Sequence, residues 1–134
     1  MELIIPERNL ARSLNWDRFD SAQEFKTYAT FIYPAILEVL EGIEFHHLLD
    51  VGCSPGNFIE AITKRFPNVN CCGIDINVKN INAAKEKELS NIFPGDCEWI
   101  DDILPDDLFF DMVIFCGLLN IQITDKEKAT RILN

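Results

Sequence analysis

The spacing of apolar residues changes near position 45 of the 134-residue chain. Before it, Phe25, Tyr28, Ala29 and Ile32 recur at i, i+3, i+4 and i+7, one face of a helix. Ser21 and Glu24 form a capping box at its start, each side chain satisfying an orphan backbone donor. Pro34 either kinks this helix or sits in the first turn of a second one, Ala35 to Leu40, closed by Gly42. After position 45 the apolar runs shorten. Leu48 to Val51 reads as a buried strand, and Asn57 to Phe66 as a helix with Phe58, Ile62 and Phe66 on one side. Val69 to Ile76 reads as a second strand. Asn77 caps a helix to about Leu89, with Val78, Ile81 and Ala84 inward. A weaker strand lies within Ile92 to Trp99, and Asp101 to Asp107 is an Asp- and Pro-rich loop. Met112 to Cys116 is continuously apolar, as a central strand covered on both faces would be. Thr124 and Glu127 form a second capping box, opening a last helix.

Strand and helix alternate from Leu48 onward, the pattern of a parallel sheet with right-handed crossovers. The chain is therefore read as one α/β domain, with a helical segment over 1–44 and a Rossmann-like, doubly wound core over 45–134. The N-terminal helices are expected over the C-terminal rim of the sheet. Composition narrows the function. Hydrophobic residues make up 48% of the chain, enough for a core. With 22 Asp and Glu against 12 Lys and Arg, the formal net charge is -10. Such a surface repels phosphate backbones, and Lys79, Lys85 and Lys87 read as a solvated helix face, so no nucleic-acid partner is expected. The acidic loop with Asp101, Asp102, Asp106 and Asp107 reads as solvated. No apolar run is long enough for a bilayer and the N-terminus does not read as a signal peptide, so a cytoplasmic protein without membrane partners is expected. The cysteines, Cys53, Cys71, Cys72, Cys97 and Cys116, lack metal-ligand spacing and read as free thiols. Adjacent His46 and His47 would point to opposite faces of a strand, so no metal site is expected.

The chemistry concentrates in Leu48 to Phe58, LLDVGCSPGNF. A strand delivers Asp50, then turns into a helix between Gly52 and Gly56. Glycine there permits positive φ and a close ligand approach, and the free N–H groups of the next helix face the same spot. The second strand ends in Asp75, 19 residues beyond Gly56. At that spacing a doubly wound fold places a carboxylate beside the first loop, able to accept hydrogen bonds from a ribose diol. A dinucleotide fingerprint is G-x-G-x-x-G, whereas the spacing here is G-x-x-x-G with Asp50 two residues ahead. Asp50 would repel a pyrophosphate and attract an ammonium. No glycine is followed by Lys-Ser or Lys-Thr, which excludes a nucleoside-triphosphate loop.

LLDVGCSPGNF, CCGIDIN, GDCEW (Gly95 to Trp99) and FDMVIFCGLLN (Phe110 to Asn120), in that order, resemble the four motifs of class I S-adenosylmethionine-dependent methyltransferases. The resemblance implies S-adenosylmethionine as cofactor, with S-adenosylhomocysteine as product. It implies that Asp50 anchors the methionine amino group and that Gly52, Cys53, Ser54 and Gly56 lie under the methionine and ribose. Asp75 would bind the ribose hydroxyls, and Ile76 would pack on the adenine. Asp96 would accept from the adenine amino group and Cys97 offer its backbone N–H, while Cys116 would line the pocket floor near the sulfonium. Ser54 departs from the glycine often found there, a change that is tolerated if its backbone stays at negative φ. No catalytic residue is assigned.

The implied strand order is 3-2-1-4, with Met112 to Cys116 at an open edge. The family's sheet continues past a fourth strand, so the chain is expected to lack the C-terminal strands. A second copy could pair with that edge as a homodimer, or the N-terminal helices could cover it. FCGLLN lacks the Asn/Asp-Pro-Pro-aromatic pattern of many methyltransferases that modify nucleic acid bases. With the acidic charge, this points to a small-molecule acceptor first and a protein second. The alternative is a non-catalytic S-adenosylmethionine-binding module or subunit.

Overall fold

The structure is a computed structural model describing residues 28–115. The capping boxes at Ser21 and Thr124, the residues Phe25 and Cys116, and the last helix lie outside the described residues. The described chain begins with a π-helical turn, Tyr28–Ile32, which passes into α1, Tyr33–Leu40. Pro34 falls in the first turn of α1, where its missing N–H leaves no bond unmade. There follow β1 (His47–Val51), α2 (Asn57–Arg65), β2 (Asn70–Asp75), α3 (Val78–Glu86), β3 (Ile92–Pro94), a 3₁₀ turn (Cys97–Trp99), the short α4 (Ile100–Ile103) and β4 (Met112–Ile114). The strands form one parallel sheet in the order β3-β2-β1-β4, as the motif order implied.

Alternation along each strand sorts the side chains into two cores. Leu49 and Val51 of β1, Cys72 and Ile74 of β2 and Phe93 of β3 share one face. Ile100, Ile103, Leu104, Leu108 and Phe110 cover it. The Asp- and Pro-rich stretch is thus partly helical and packed through its apolar members, while Asp101, Asp102, Asp106 and Asp107 are exposed. On the opposite face, Leu48 meets Phe58 and Ile62 of α2 and Leu40 of α1. Ile59, Ile81, Ala84 and Ile92 complete that layer beside β2 and β3. α1 lies against α2 on this face rather than over the rim of the sheet. Tyr33 packs against Phe58 with the rings tilted 47° and their centroids 5.1 Å apart, and Arg65 pairs with Glu41 beyond the end of α1.

Other expectations are corrected. Val78 is 40% exposed; the buried residues of α3 are Asn80, Ile81 and Ala84. α3 stops at Glu86 rather than near Leu89. Glu88 takes the left-handed conformation (φ 62), with Glu88 N–H bonded to Lys85 O and Leu89 N–H to Ala84 O. This is the paired-bond pattern of a Schellman stop. β3 is short because Gly95 and Asp96 turn the chain away. β4 is not covered on both faces among the described residues: Val113 is 43% exposed, and Met112 and Ile114 are half-buried. Among the described residues no helix is long and apolar enough to cross a membrane, and no cluster of three or more His, Cys, Asp or Glu could hold a metal.

Candidate cofactor site

β1 and β2 end side by side, with Val51 in register with Ile74. Both Gly52 N–H and Cys53 N–H then donate to Ile74 O, at 2.8 and 3.0 Å, which bends the chain back over the end of β2. Gly52 (φ 78) and Gly56 (φ 88) both take the positive φ expected of them. Gly56 is also required for packing, since a Cβ there would fall on Leu89 Cδ1. Ser54 does not stay at negative φ. It sits at φ 52, in the left-handed region. Its N–H donates to Asp75 Oδ2 at 2.9 Å, a charge-assisted bond that offsets the backbone strain. Asp75 Oδ1 meanwhile accepts from Asn77 N–H at 2.8 Å.

An open cleft lies at the C-terminal ends of β1, β2 and β3. Its walls are Gly52, Ile74, Asp75, Ile76, Gly95, Asp96 and Cys97. This is where ligands bind in open α/β sheets, outside the carboxyl ends of the strands. The structure thus brings together the predicted Gly52, Asp75, Ile76, Asp96 and Cys97. Asp96 caps the 3₁₀ turn through Oδ1, which accepts from Glu98 N–H at 3.0 Å. Asp50, Cys53, Ser54 and Gly56 do not line the cleft. Asp50 and Cys53 are buried behind it, while Ser54 and Gly56 shape the loop. Ile74 and Gly95 were missed by the sequence reading. Gly95 carried a signal: it is a glycine immediately after a strand, and its N–H donates to Asp75 O at 2.9 Å.

Residues 48–134 match the family described as a methyltransferase domain. The chain belongs to that family. A trans-aconitate 2-methyltransferase of Paracidovorax citrulli (strain AAC00-1) is 39% identical over 41 residues, which is 31% of this chain and 16% of that protein. Among solved structures, Streptomyces venezuelae DesVI superimposes with a TM-score of 0.62 at 18% identity, covering 87% of this chain and 50% of that one. The plantazolicin methyltransferase BpumL, solved with a pentazolic desmethylPZN analogue and SAH, superimposes with a TM-score of 0.58 at 18% identity, covering 95% and 54%. The chain therefore spans about half the length of these solved structures. They establish the Rossmann-like methyltransferase fold.

Within this methyltransferase domain the buried carboxylates are the electrostatic feature. Asp50 is 2% exposed, and burial, reinforced by the neighbouring Asp75 charge, pushes its pKa up to about 7. Burial also raises Asp75, opposed by hydrogen bonds from Asn77 N–H, Ser54 N–H and the Asn80 side chain. A carboxylate has about four acceptor sites, so these donors leave Asp75 about one to spare. Burial, with the Asp75 and Asp50 charges, holds the Cys53 thiol well above its ordinary pKa, which makes it an inert core group. Burial likewise raises Cys71 to about 11, which fits the reading of Cys71 and Cys72 as core cysteines rather than a redox pair.

Proposed function

We propose that this domain binds S-adenosylmethionine and serves methyl transfer to a small-molecule acceptor. The observation that carries the reading is the convergence of Asp75 and Asp96, at the ends of neighbouring strands, on one cleft roofed by Gly52. A carboxylate at the end of β2 suits a ribose diol, and Asp96 with the Cys97 backbone suits an adenine edge. Ile76, also in the cleft lining, is the apolar residue proposed to pack on the adenine. Asp50, behind the loop, supplies the negative charge that a methionine ammonium requires. The plantazolicin methyltransferase BpumL, which shares the fold, was solved with SAH bound. The position of Cys116 beside the cofactor is part of the same proposal.

When bound, the cofactor supplies a methyl group already activated on a sulfonium. The chain's residues then have to hold and orient the cofactor and keep water out of the cleft. Alignment of two reactants can contribute about 7–11 kcal/mol. The net charge of -10 makes a nucleic acid a poor acceptor. A small molecule is the proposed acceptor and a protein the second choice, and the cytoplasm is the proposed compartment.

Calorimetric titration with S-adenosylmethionine and S-adenosylhomocysteine tests the reading, with Asp75→Asn and Asp96→Ala as controls. Asp75→Asn keeps one acceptor oxygen for the loop while removing the charge. Saturable binding weakened about tenfold or more in both variants is expected, since a hydrogen bond to a charged group contributes about 1.5–3 kcal/mol. A folded wild-type chain that binds neither compound would sink the proposal.

A further inference from the structure

Lys87 was read from sequence as part of a solvated helix face, yet its ammonium meets three protein acceptors. It stands at the C-cap of α3 and donates to Pro55 O at 3.2 Å, Asn57 Oδ1 at 2.8 Å and Glu60 Oε1 at 2.8 Å. An ammonium has three donors, so these acceptors use all of them. They straddle Gly56, binding the last residue of the glycine-rich loop and the first turn of α2. The Schellman stop described above then carries the chain two residues further, to Leu89, whose Cδ1 fills the space that a side chain at Gly56 would need.

We propose that the Lys87–Leu89 corner is a positioning element for the cofactor loop, with Lys87 tethering Pro55 and Asn57 from behind while Leu89 supports Gly56. The inference rests on the cofactor reading above. The middle of the loop is held by two remote groups: Asp75 fixes Ser54 through its N–H, and Lys87 fixes the adjoining Pro55 through its carbonyl. Neither Lys87 nor Leu89 lines the cleft, so both act through the loop. The ion pair with Glu60 is partly exposed, at 34% and 49%, and contributes little stability by itself. What it does is neutralise Lys87, which therefore serves as a tether and not as an anion ligand. A loop already in its bound shape avoids the ordering cost that binding otherwise carries.

The test combines amide hydrogen exchange on the unliganded chain with calorimetry using S-adenosylhomocysteine, for wild type, Lys87→Met, Lys87→Arg and Leu89→Ala. In Lys87→Met the bonded amides of Ser54 and Gly56 should exchange at least about tenfold faster while those of β1 and β2 stay protected. The S-adenosylhomocysteine Kd should rise about three- to tenfold, and Lys87→Arg should recover most of both losses. Leu89→Ala, which leaves the tether in place, should loosen Gly56 more than Ser54. Loop exchange and affinity both within twofold of wild type in Lys87→Met, with β1 and β2 intact, would overturn the inference. So would equal loosening of strands and loop in both Lys87→Met and Leu89→Ala, since the corner would then be plain scaffold. Failure of the wild-type chain to bind S-adenosylhomocysteine counts against the cofactor reading alone, because the exchange experiment decides the tether without ligand.

Discussion

Asp75 accepts the backbone N–H of Ser54 at 2.9 Å, from 21 positions further along the chain. The carboxylate that faces the cleft is thus the same group that shapes the loop beside it. Affinity for the ligand and order in the loop are coupled through one side chain. A large truncation at Asp75 removes both, whereas changes around it can separate them.

Ser54→Gly separates backbone strain from the hydrogen bond. The left-handed conformation at φ 52 costs a non-glycine residue roughly 1–2 kcal/mol, and glycine adds about 0.5–1 kcal/mol of unfolded-state entropy. The N–H donor survives the change. A net gain of about 0.5–1 kcal/mol in urea unfolding is expected, with S-adenosylhomocysteine affinity within twofold of wild type. A loss of stability would show that the Ser54 side chain does more than tolerate its position.

Asp50 should give the chain an unusual pH dependence. Its folded pKa, about 7, lies above its ordinary value of 3.8. The folded state therefore holds the proton more tightly than the unfolded chain does. Its favourable contribution is complete below about pH 4 and is lost as pH rises through 7. Asp50→Asn, which cannot ionise, should raise stability more at pH 8 than at pH 5, by up to about 3 kcal/mol, since about two pH units of that interval lie below the folded pKa at about 1.4 kcal/mol each. The same variant should weaken S-adenosylmethionine binding, and wild-type affinity should fall below pH 7 as Asp50 takes up its proton. Thermal unfolding and titration at the two pH values check both; an equal gain at pH 5 and pH 8 would refute the assignment.

Gly73 has ordinary strand geometry but no space. A Cβ there would lie 2.8 Å from Cys53 Cβ, Cys53 Sγ and Ile59 Cδ1. All of these are in the core between β2 and α2, so none can swing into solvent. Gly73→Ala should cost about 1–3 kcal/mol, as overpacking usually does, and should displace Cys53 and with it the start of the loop. Cys53→Ala in the same chain should recover part of that loss, which denaturation of the single and double variants would measure.

Asp111 is a clamp between strand starts. Its carboxylate accepts His47 N–H at 2.8 Å and His46 N–H at 2.9 Å, and Asp111 N–H donates to His47 O at 3.0 Å. The His47 bond, with that from His46, lowers its pKa. The sign is opposite to that of Asp50: the contribution is present above the ordinary carboxylate value of about 4 and lost as pH falls further. Asp111→Asn should shallow the loss of stability on acidification below pH 4 and leave the pH 5 to pH 8 range unchanged. A variant with an unaltered acid limb would rule the clamp out.

The alternation of strand and helix, the glycines at Gly52 and Gly56 and the carboxylates at Asp50, Asp75 and Asp96 are legible in the amino-acid order alone. These follow from patterns within a few residues: apolar period, cap, turn and the spacing of one acidic group from one loop. Asn77 illustrates this, since its cap accepts from Lys79 N–H at 2.9 Å within its own turn. Tertiary structure decided what depends on a distant partner. Ser54 takes positive φ because Asp75 holds its N–H, Val78 is exposed while Asn80, Ile81 and Ala84 are the buried residues of α3, and Val113 is half-open because only β1 lies beside it among the described strands. Lys87 is the clearest case. Among neighbouring Lys and Glu residues it has the look of a solvated charge, and only the packing of α3 behind the loop places Pro55, Asn57 and Glu60 within its reach. Local pattern sets which conformations a segment can adopt at low cost. Which of them it keeps is settled by hydrogen bonds and contacts from elements remote in sequence, and those form only when the sheet assembles.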